Sequence, residues 1–271
     1  MLTFVVSSLL VGFGVGVLSG LLGIGGGTIL VALFSLAYGM TALQSTATSL
    51  FTIIPTSLSG TITHIRERTC VIGVGAAAGI GGAIMSPVGV WLATLSPEWL
   101  VLVTCAAIIA YSSATMFRKA FALRSKGKVA AASDPSSGNP SAGSEAPALS
   151  RTKLVQSGVI GLVAGLLSGY VGVGGGFLMV PLFMSVIGLP MRLTSGSSLI
   201  AVMILAIPGT ITQAMMGNVV WVIGICVAIG SMPGAVLGAR LVKRIPEFAL
   251  RLGFASFLLV MAALLVAEQF V

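Results

Sequence analysis

Two stretches of this chain combine clustered glycines with apolar residues in a way that could do chemistry. Residues 20–34 read GLLGIGGGTILVALF and residues 169–183 read GYVGVGGGFLMVPLF. Consecutive glycines disfavour helix and admit left-handed backbone. Gly23, Gly25, Gly26 and Gly27, and again Gly172, Gly174, Gly175 and Gly176, therefore predict a break just before helices that begin near Thr28 and Phe177. A helix start behind an uncovered backbone offers free N–H groups and a partial positive charge, which together suit an anion. The alternative is a tight hairpin turn that binds nothing. A dinucleotide fingerprint does not fit, because no strand precedes the glycines and no acidic residue follows at about 20 positions.

A polar element follows each glycine cluster: QSTATS at 44–49 and TSGSS at 194–198. One hydroxyl at a helix start is explained by capping. Five or six suggest donors for an anion's oxygens as well. The candidate substrate contacts are Gly25, Gly26, Gly27, Thr46 and Ser49 with Gly174, Gly175, Gly176, Ser195 and Ser198, flanked by Gln44, Thr48 and Ser197. Catalytic machinery is not expected. The six acidic residues, Glu67, Glu98, Asp134, Glu145, Glu247 and Glu268, fall in loops or at helix ends, and no serine has a histidine partner in view. His64, the only histidine, reads either as an interfacial residue beside Arg66 or as a proton relay. Cys70, Cys105 and Cys226 stand apart, without ligand spacing, and read as small buried hydrophobes. Neither metal nor cofactor is expected.

The elements that must position these residues are membrane helices. Of 271 residues 56% are hydrophobic and only 7% charged, and the mean hydropathy is +1.12. No soluble domain hides that much apolar surface. Ten apolar segments can be placed, at about 2–22, 24–38, 43–64, 70–94 and 98–117, then 154–171, 173–187, 193–214, 219–239 and 248–267. Their continuous apolar character excludes the alternating strands of a transmembrane barrel. The first 20 residues lack a basic start and a cleavage pattern, so they read as a retained helix. The domain organisation is a first transmembrane repeat over 1–122, a flexible cytoplasmic linker rich in Ser, Gly and Pro over 123–153, and a second repeat over 154–271.

An offset of 149 aligns residues 12–98 with 161–247 without a gap, giving 27 identities in 87 positions. This is an internal duplication. It pairs Gly12, Gly16 and Gly20 with Gly161, Gly165 and Gly169, each row set to bring a second helix close. It also pairs GTIT at 60–63 with GTIT at 209–212, and Pro97-Glu98 with Pro246-Glu247. The charges are not duplicated: loop 66–69 is basic and its counterpart 215–218 is not, while 240–247 is basic and 91–98 is not. If the first two segments of each half cross an even number of times, as a spanning hairpin or a re-entrant pair, all 14 Lys and Arg fall on the cytoplasmic side. Equivalent loops then face opposite sides, the two halves are inverted repeats, and both termini are extracytoplasmic. A single span interrupted by glycines ranks lowest. The net charge of +8 is read as membrane topology, and nucleic acid is not an expected partner.

The twin glycine stretches, each followed by STATSL or TSGSSL, resemble the sulfite exporter TauE/SafE family over nearly the whole chain outside the linker. The resemblance implies a multi-pass transporter of the bacterial inner membrane that carries small sulfur-containing anions, such as sulfite or organosulfonates. Its expected partners are that anion, membrane lipid and a second copy of the chain in a homodimer. An uptake permease for another anion and a non-transporting assembly factor are the alternatives. The family's usual proline after the glycines is Pro181 in the second copy but Ala32 in the first, so the halves are expected to be unequal.

Overall fold

A computed structural model describes residues 2–97 and 151–268, with 100, 103, 104, 107, 113–115 and 117. Most of the expected segment 98–117 and the linker up to 150 lie outside the described residues, as do Glu98 and Cys105. The described elements are helical: α1 (Leu2–Leu22), α2 (Gly27–Tyr38), α3 (Ala42–Arg66), α4 (Ile72–Leu95), α5 (Arg151–Val171), α6 (Gly176–Leu182, continued by a π-helical turn, Phe183–Ile187), α7 (Met191–Met215), α8 (Trp221–Leu241) and α9 (Glu247–Glu268). α5 thus starts three residues inside the stretch read as linker. No strand occurs among the described residues. Helices α4, α5, α7 and α8 are long and apolar enough to cross a membrane, and their exposed residues, including Ile80, Ile84, Val159, Ile211 and Ile229, are the lipid-facing surface such spans require.

The contacts between the halves are reciprocal under the offset of 149, which is the signature of a two-fold axis. A side chain built on Gly60 would touch Leu199, and one on Gly209 would touch Leu50. Rising numbers on α3 meet falling numbers on α7, so these two counterparts are antiparallel and the axis lies across them. The same reciprocity governs the glycine rows. Gly12, Gly16 and Gly20 of α1 face the backbone of Val227, Ser231 and Ala235 on α8, while Gly161, Gly165 and Gly169 of α5 face Ala78, Gly82 and Ser86 on α4. Each row climbs in step with its partner, so both pairs are parallel. The approach leaves no room for a Cβ against the facing carbonyls. The halves are therefore inverted repeats that exchange partners.

The first two segments of the first half form a hairpin that returns to the side it came from. Ser8 Oγ near the start of α1 lies 2.7 Å from Tyr38 OH at the end of α2. This excludes the single glycine-interrupted span. α2 has 12 residues, about 18 Å of helix, too short for a core of about 30 Å. The halves differ where Ala32 faces Pro181. α2 is continuous α-helix to Tyr38. In α6, Pro181 cannot donate to the carbonyl one turn back, and the helix relaxes into the π turn, with Ser185 Oγ donating to the Pro181 carbonyl at 2.8 Å.

Basic residues gather at one end of the molecule. Arg66 and Arg240 share a surface hollow there, and Lys243 Nζ reaches Glu67 Oε2 at 2.6 Å. Arg192 and Arg251 lie on the same end through their bonds to Ile245 and Glu247. The opposite end, where α3 starts and α4 finishes, presents Thr41, Thr94 and Ser96.

Candidate anion site at the crossed glycine breaks

Gly23, Gly25 and Gly26 have φ of 75°, 78° and 81°, and Gly172, Gly174 and Gly175 have 72°, 78° and 67°. Side chains strongly disfavour this left-handed backbone, which is why the pattern demands glycine. Each turn delivers the chain into a buried helix start. Gly26 is the left-handed cap of α2 and Gly175 that of α6. The first intrahelical acceptors are their own carbonyls, Gly26 O for Leu30 N at 3.0 Å and Gly175 O for Met179 N at 3.0 Å. Of the amides of the turn before those donors, Leu178 N also reaches Gly175 O, at 3.1 Å, and the others have no acceptor one turn back in the helix.

The two breaks meet at the two-fold axis. Ile53 and Val202 are counterparts, and each touches both Gly25 and Gly174. Gly27 packs on Val173 of the other break, and Gly176 on Ile24, with no space for a side chain between them. Every residue from Leu22 to Thr28 and from Val171 to Val180 is buried. The expected breaks at 23–27 and 172–176 are thus brought together as one feature.

The hydroxyl boxes cross over. Ser198 Oγ on α7 donates to the carbonyl of Gly23 at 2.6 Å, and Ser49 Oγ on α3 donates to the carbonyl of Gly172. Thr48 Oγ1 accepts from Val220 N at 3.0 Å and Ser197 Oγ accepts from Val71 N at 2.8 Å, so each caps the start of a helix in the other half. Thr46 and Ser195 donate back along their helices, to Leu43 O at 2.8 Å and Met191 O at 3.0 Å. The expected donors Thr46, Ser49, Ser195 and Ser198 are all placed beside the breaks, and in this structure their protons are given to backbone carbonyls. Gln44 makes a capping box with Thr41, its backbone N–H and side-chain oxygen both 3.3 Å from their Thr41 partners.

The hydroxyls without a partner are others. Beside the breaks, Ser19, Thr28, Ser57 and Ser168 are each no more than 1% exposed, and their oxygens have no hydrogen-bond partner among the described residues; Thr61 on α3, Thr210 on α7 and Ser86 on α4, the last against Gly209, are unpartnered as well. A buried hydroxyl left so costs about 1–3 kcal/mol. Ser57 Oγ lies 3.3 Å from where a Cβ on Gly25 would sit, and Ser19 Oγ 3.8 Å from the same position on Gly26. The sequence signal for Ser19 and Ser168 was available, since they align within the repeat. Ser57 and Thr28 align with Ala206 and Phe177 and carried none.

His64 differs from its expected interfacial setting. It is fully buried. Nε2 donates to the Gly20 carbonyl at 3.0 Å, which fixes the proton there, and Nδ1 sits 2.7 Å from Thr69 Oγ1. The ring pins the end of α1 to the loop after α3, and both of its nitrogens are used in doing so. Cys70 and Cys226 are free and half-buried, more open than their expected core setting. Among the described residues no three His, Cys, Asp or Glu cluster to hold a metal.

A cavity of about 190 Å³ opens beside the second break, lined by Ala42, Leu43, Thr46, Thr94, Ser96 and Tyr170 among others. Thr46 is its link to the interior, because it packs directly on Gly172. The counterparts of these residues at the basic end are held together by polar ties. Arg192 donates to the Ile245 carbonyl at 3.0 Å, the Glu247 carboxylate accepts from Met191 N at 3.2 Å, and Lys243 pairs with Glu67. The hydrogen bond from Lys243 holds the Glu67 carboxyl below its ordinary value. Leu43, Thr94 and Met216 stand where Arg192, Lys243 and Glu67 would be needed to build the same ties around the cavity.

Inverted repeats of membrane-spanning helices, with broken helices meeting at the repeat axis, define a multi-pass membrane transporter. The model of the sulfite exporter TauE/SafE family matches residues 8–265, and the chain belongs to that family. It is 28% identical over 244 residues to the probable membrane transporter protein YdhB of Bacillus subtilis (strain 168), covering 90% of this chain and 92% of that one. It is 27% identical over 243 residues to the probable membrane transporter protein YunE of the same organism, covering 84% and 85%. No solved structure matches the chain.

Proposed function

We propose that the protein exports small sulfur-containing anions, such as sulfite or organosulfonates, across the cytoplasmic membrane of a bacterium. The observation that carries this reading is the pair of glycine breaks at the axis. Their helix starts present uncovered amides inside the protein, where a partial positive charge is screened least. Among the described residues, the atoms nearest the break glycines belong to neither Asp nor Glu, so those neighbours set no fixed negative charge against an anion. The family's description names sulfite export.

The unequal ends support movement by alternating access of the two halves. The neutral end carries the cavity that reaches Thr46, and the basic end carries the ties that close its counterpart. By the positive-inside rule the basic end is cytoplasmic, which makes this an outward-facing arrangement. An inside-negative potential contributes about 2.3 kcal/mol per charge per 100 mV toward anion exit. Export therefore needs no coupled ion.

Expression in a sulfite-sensitive bacterium tests the reading. Cells making the protein are expected to tolerate sulfite and to hold less of it than cells making the Gly26→Ala variant at equal abundance. Higher internal sulfite, or growth gained on a scarce sulfur source, identifies an uptake permease instead. No change in either, with the protein in the membrane, favours a non-transporting assembly role and overturns the proposal.

A further inference from the structure

The two breaks share a backbone but not a chemistry. Around the first, three hydroxyls are buried without partners: Ser19 on α1, Thr28 in the first turn of α2 and Ser57 on α3. Around the second, Ser168 is the counterpart of Ser19, but Phe177 and Ala206 replace Thr28 and Ser57. Phe177 and Ala206 are fully buried. The second helix also loses its regular course within seven residues, at the π turn. α2 keeps an unbroken dipole over 12 residues.

We propose that the anion is held on one side of the axis only, at the start of α2, by the hydroxyls of Ser19, Thr28 and Ser57 together with the first-turn amides of that helix. This deepens the anion reading above and rests on it. The second break then serves as the wall against which the site closes: Gly27 packs on Val173, and Gly176 on Ile24.

The donor set also states what the ligand must be. Amides donate only, and each serine or threonine here has its proton to give. Gly23 O and Gly172 O already accept from Ser198 and Ser49. Full ionisation gives the ligand more charge to set against the positive helix start and one more acceptor oxygen for these donors. The site therefore selects the fully ionised form, with oxygens spread over more than one direction: sulfite over hydrogen sulfite, and a sulfonate or sulfate over a protonated phosphate.

Purified full-length protein in detergent, titrated with sulfite and followed by thermal shift and calorimetry, tests this. Ser57→Ala and Thr28→Val are expected to weaken sulfite binding about ten-fold each, the loss of one hydrogen bond to a charged group. Without sulfite the same variants are expected to melt higher than the parent, since each removes an unsatisfied buried hydroxyl. A merely structural hydroxyl would lower the melting point when removed and leave affinity unchanged. Ser168→Ala is expected to leave affinity unchanged, and affinity is expected to rise with pH as sulfite loses its last proton. Equal weakening by Ser168→Ala, or unaltered affinity in Ser57→Ala and Thr28→Val, overturns the one-sided site while leaving anion binding intact. If the parent binds neither sulfite nor sulfate nor methanesulfonate, the anion reading itself falls.

Discussion

Ser198 hands its hydroxyl proton to the carbonyl of Gly23, 175 positions earlier in the chain, at 2.6 Å. The counterpart bond, from Ser49 to Gly172, closes the same link in the other direction. Each half thus supplies the hydroxyl that steadies the other half's broken helix.

That exchange predicts matched costs. Ser198→Ala and Ser49→Ala each strand a buried glycine carbonyl, a loss of about 1–3 kcal/mol. Chemical denaturation of purified protein in detergent should show both losses at similar size. Ser45→Ala should cost less, because that hydroxyl reaches Met40 O only at 3.5 Å.

The glycine rows make a sharper contrast. Gly16→Ala and Gly165→Ala push a methyl into the carbonyls of Ser231 and Gly82, and overpacking of this kind costs about 1–3 kcal/mol or more. Membrane abundance is expected to fall sharply for both. Gly14 has open space around its Cβ position, so Gly14→Ala is expected to gain up to about 1 kcal/mol from helix propensity and to leave abundance unchanged.

Much of this was legible in the sequence, and for a definite reason. Left-handed backbone and close helix approach both select glycine, so they write themselves into residue type at Gly23, Gly25, Gly26 and the Gly12 row. The repeat then supplied the partners. What stayed hidden depends on which proton goes where. Thr46, Ser49, Ser195 and Ser198 were placed beside the breaks by their spacing, but nothing in their spacing says that carbonyls take their protons. Ser57 and Thr28 were invisible because one half alone carries them. His64 looked interfacial beside Arg66, yet the parallel packing of α1 on α8 brings Gly20 O to its ring.

The ties at the basic end predict a pH-dependent closure. Glu67 has its carboxyl lowered by Lys243. A depressed carboxyl contributes above its unpaired value and loses that contribution as pH falls through the paired value. A maleimide reaction at Ser195→Cys, in a background with Cys70, Cys105 and Cys226 replaced, should stay slow from the basic side at neutral pH. It should speed up once the medium falls below the carboxylate range. Glu67→Lys alone should speed it at neutral pH, and the exchange Glu67→Lys with Lys243→Glu should restore protection, by at most the factor of about five that an exposed pair supplies.

Inversion itself has a direct readout in one pair of counterparts. Thr94 and Lys243 are both exposed and occupy equivalent positions under the repeat. Thr94→Cys should react with an impermeant thiol reagent in intact cells, and Lys243→Cys only after the membrane is opened. Labelling of both from the same side would contradict the inverted architecture.

The central claim, that the crossed breaks carry an anion through the membrane, is tested most directly by electrical recording from proteoliposomes after a sulfite concentration jump. The account predicts a current whose sign is that of a moving negative charge, absent in Gly26→Ala protein of unchanged size-exclusion profile. A parent protein that passes no more current than empty liposomes, or a Gly26→Ala variant that passes as much as the parent, would contradict it.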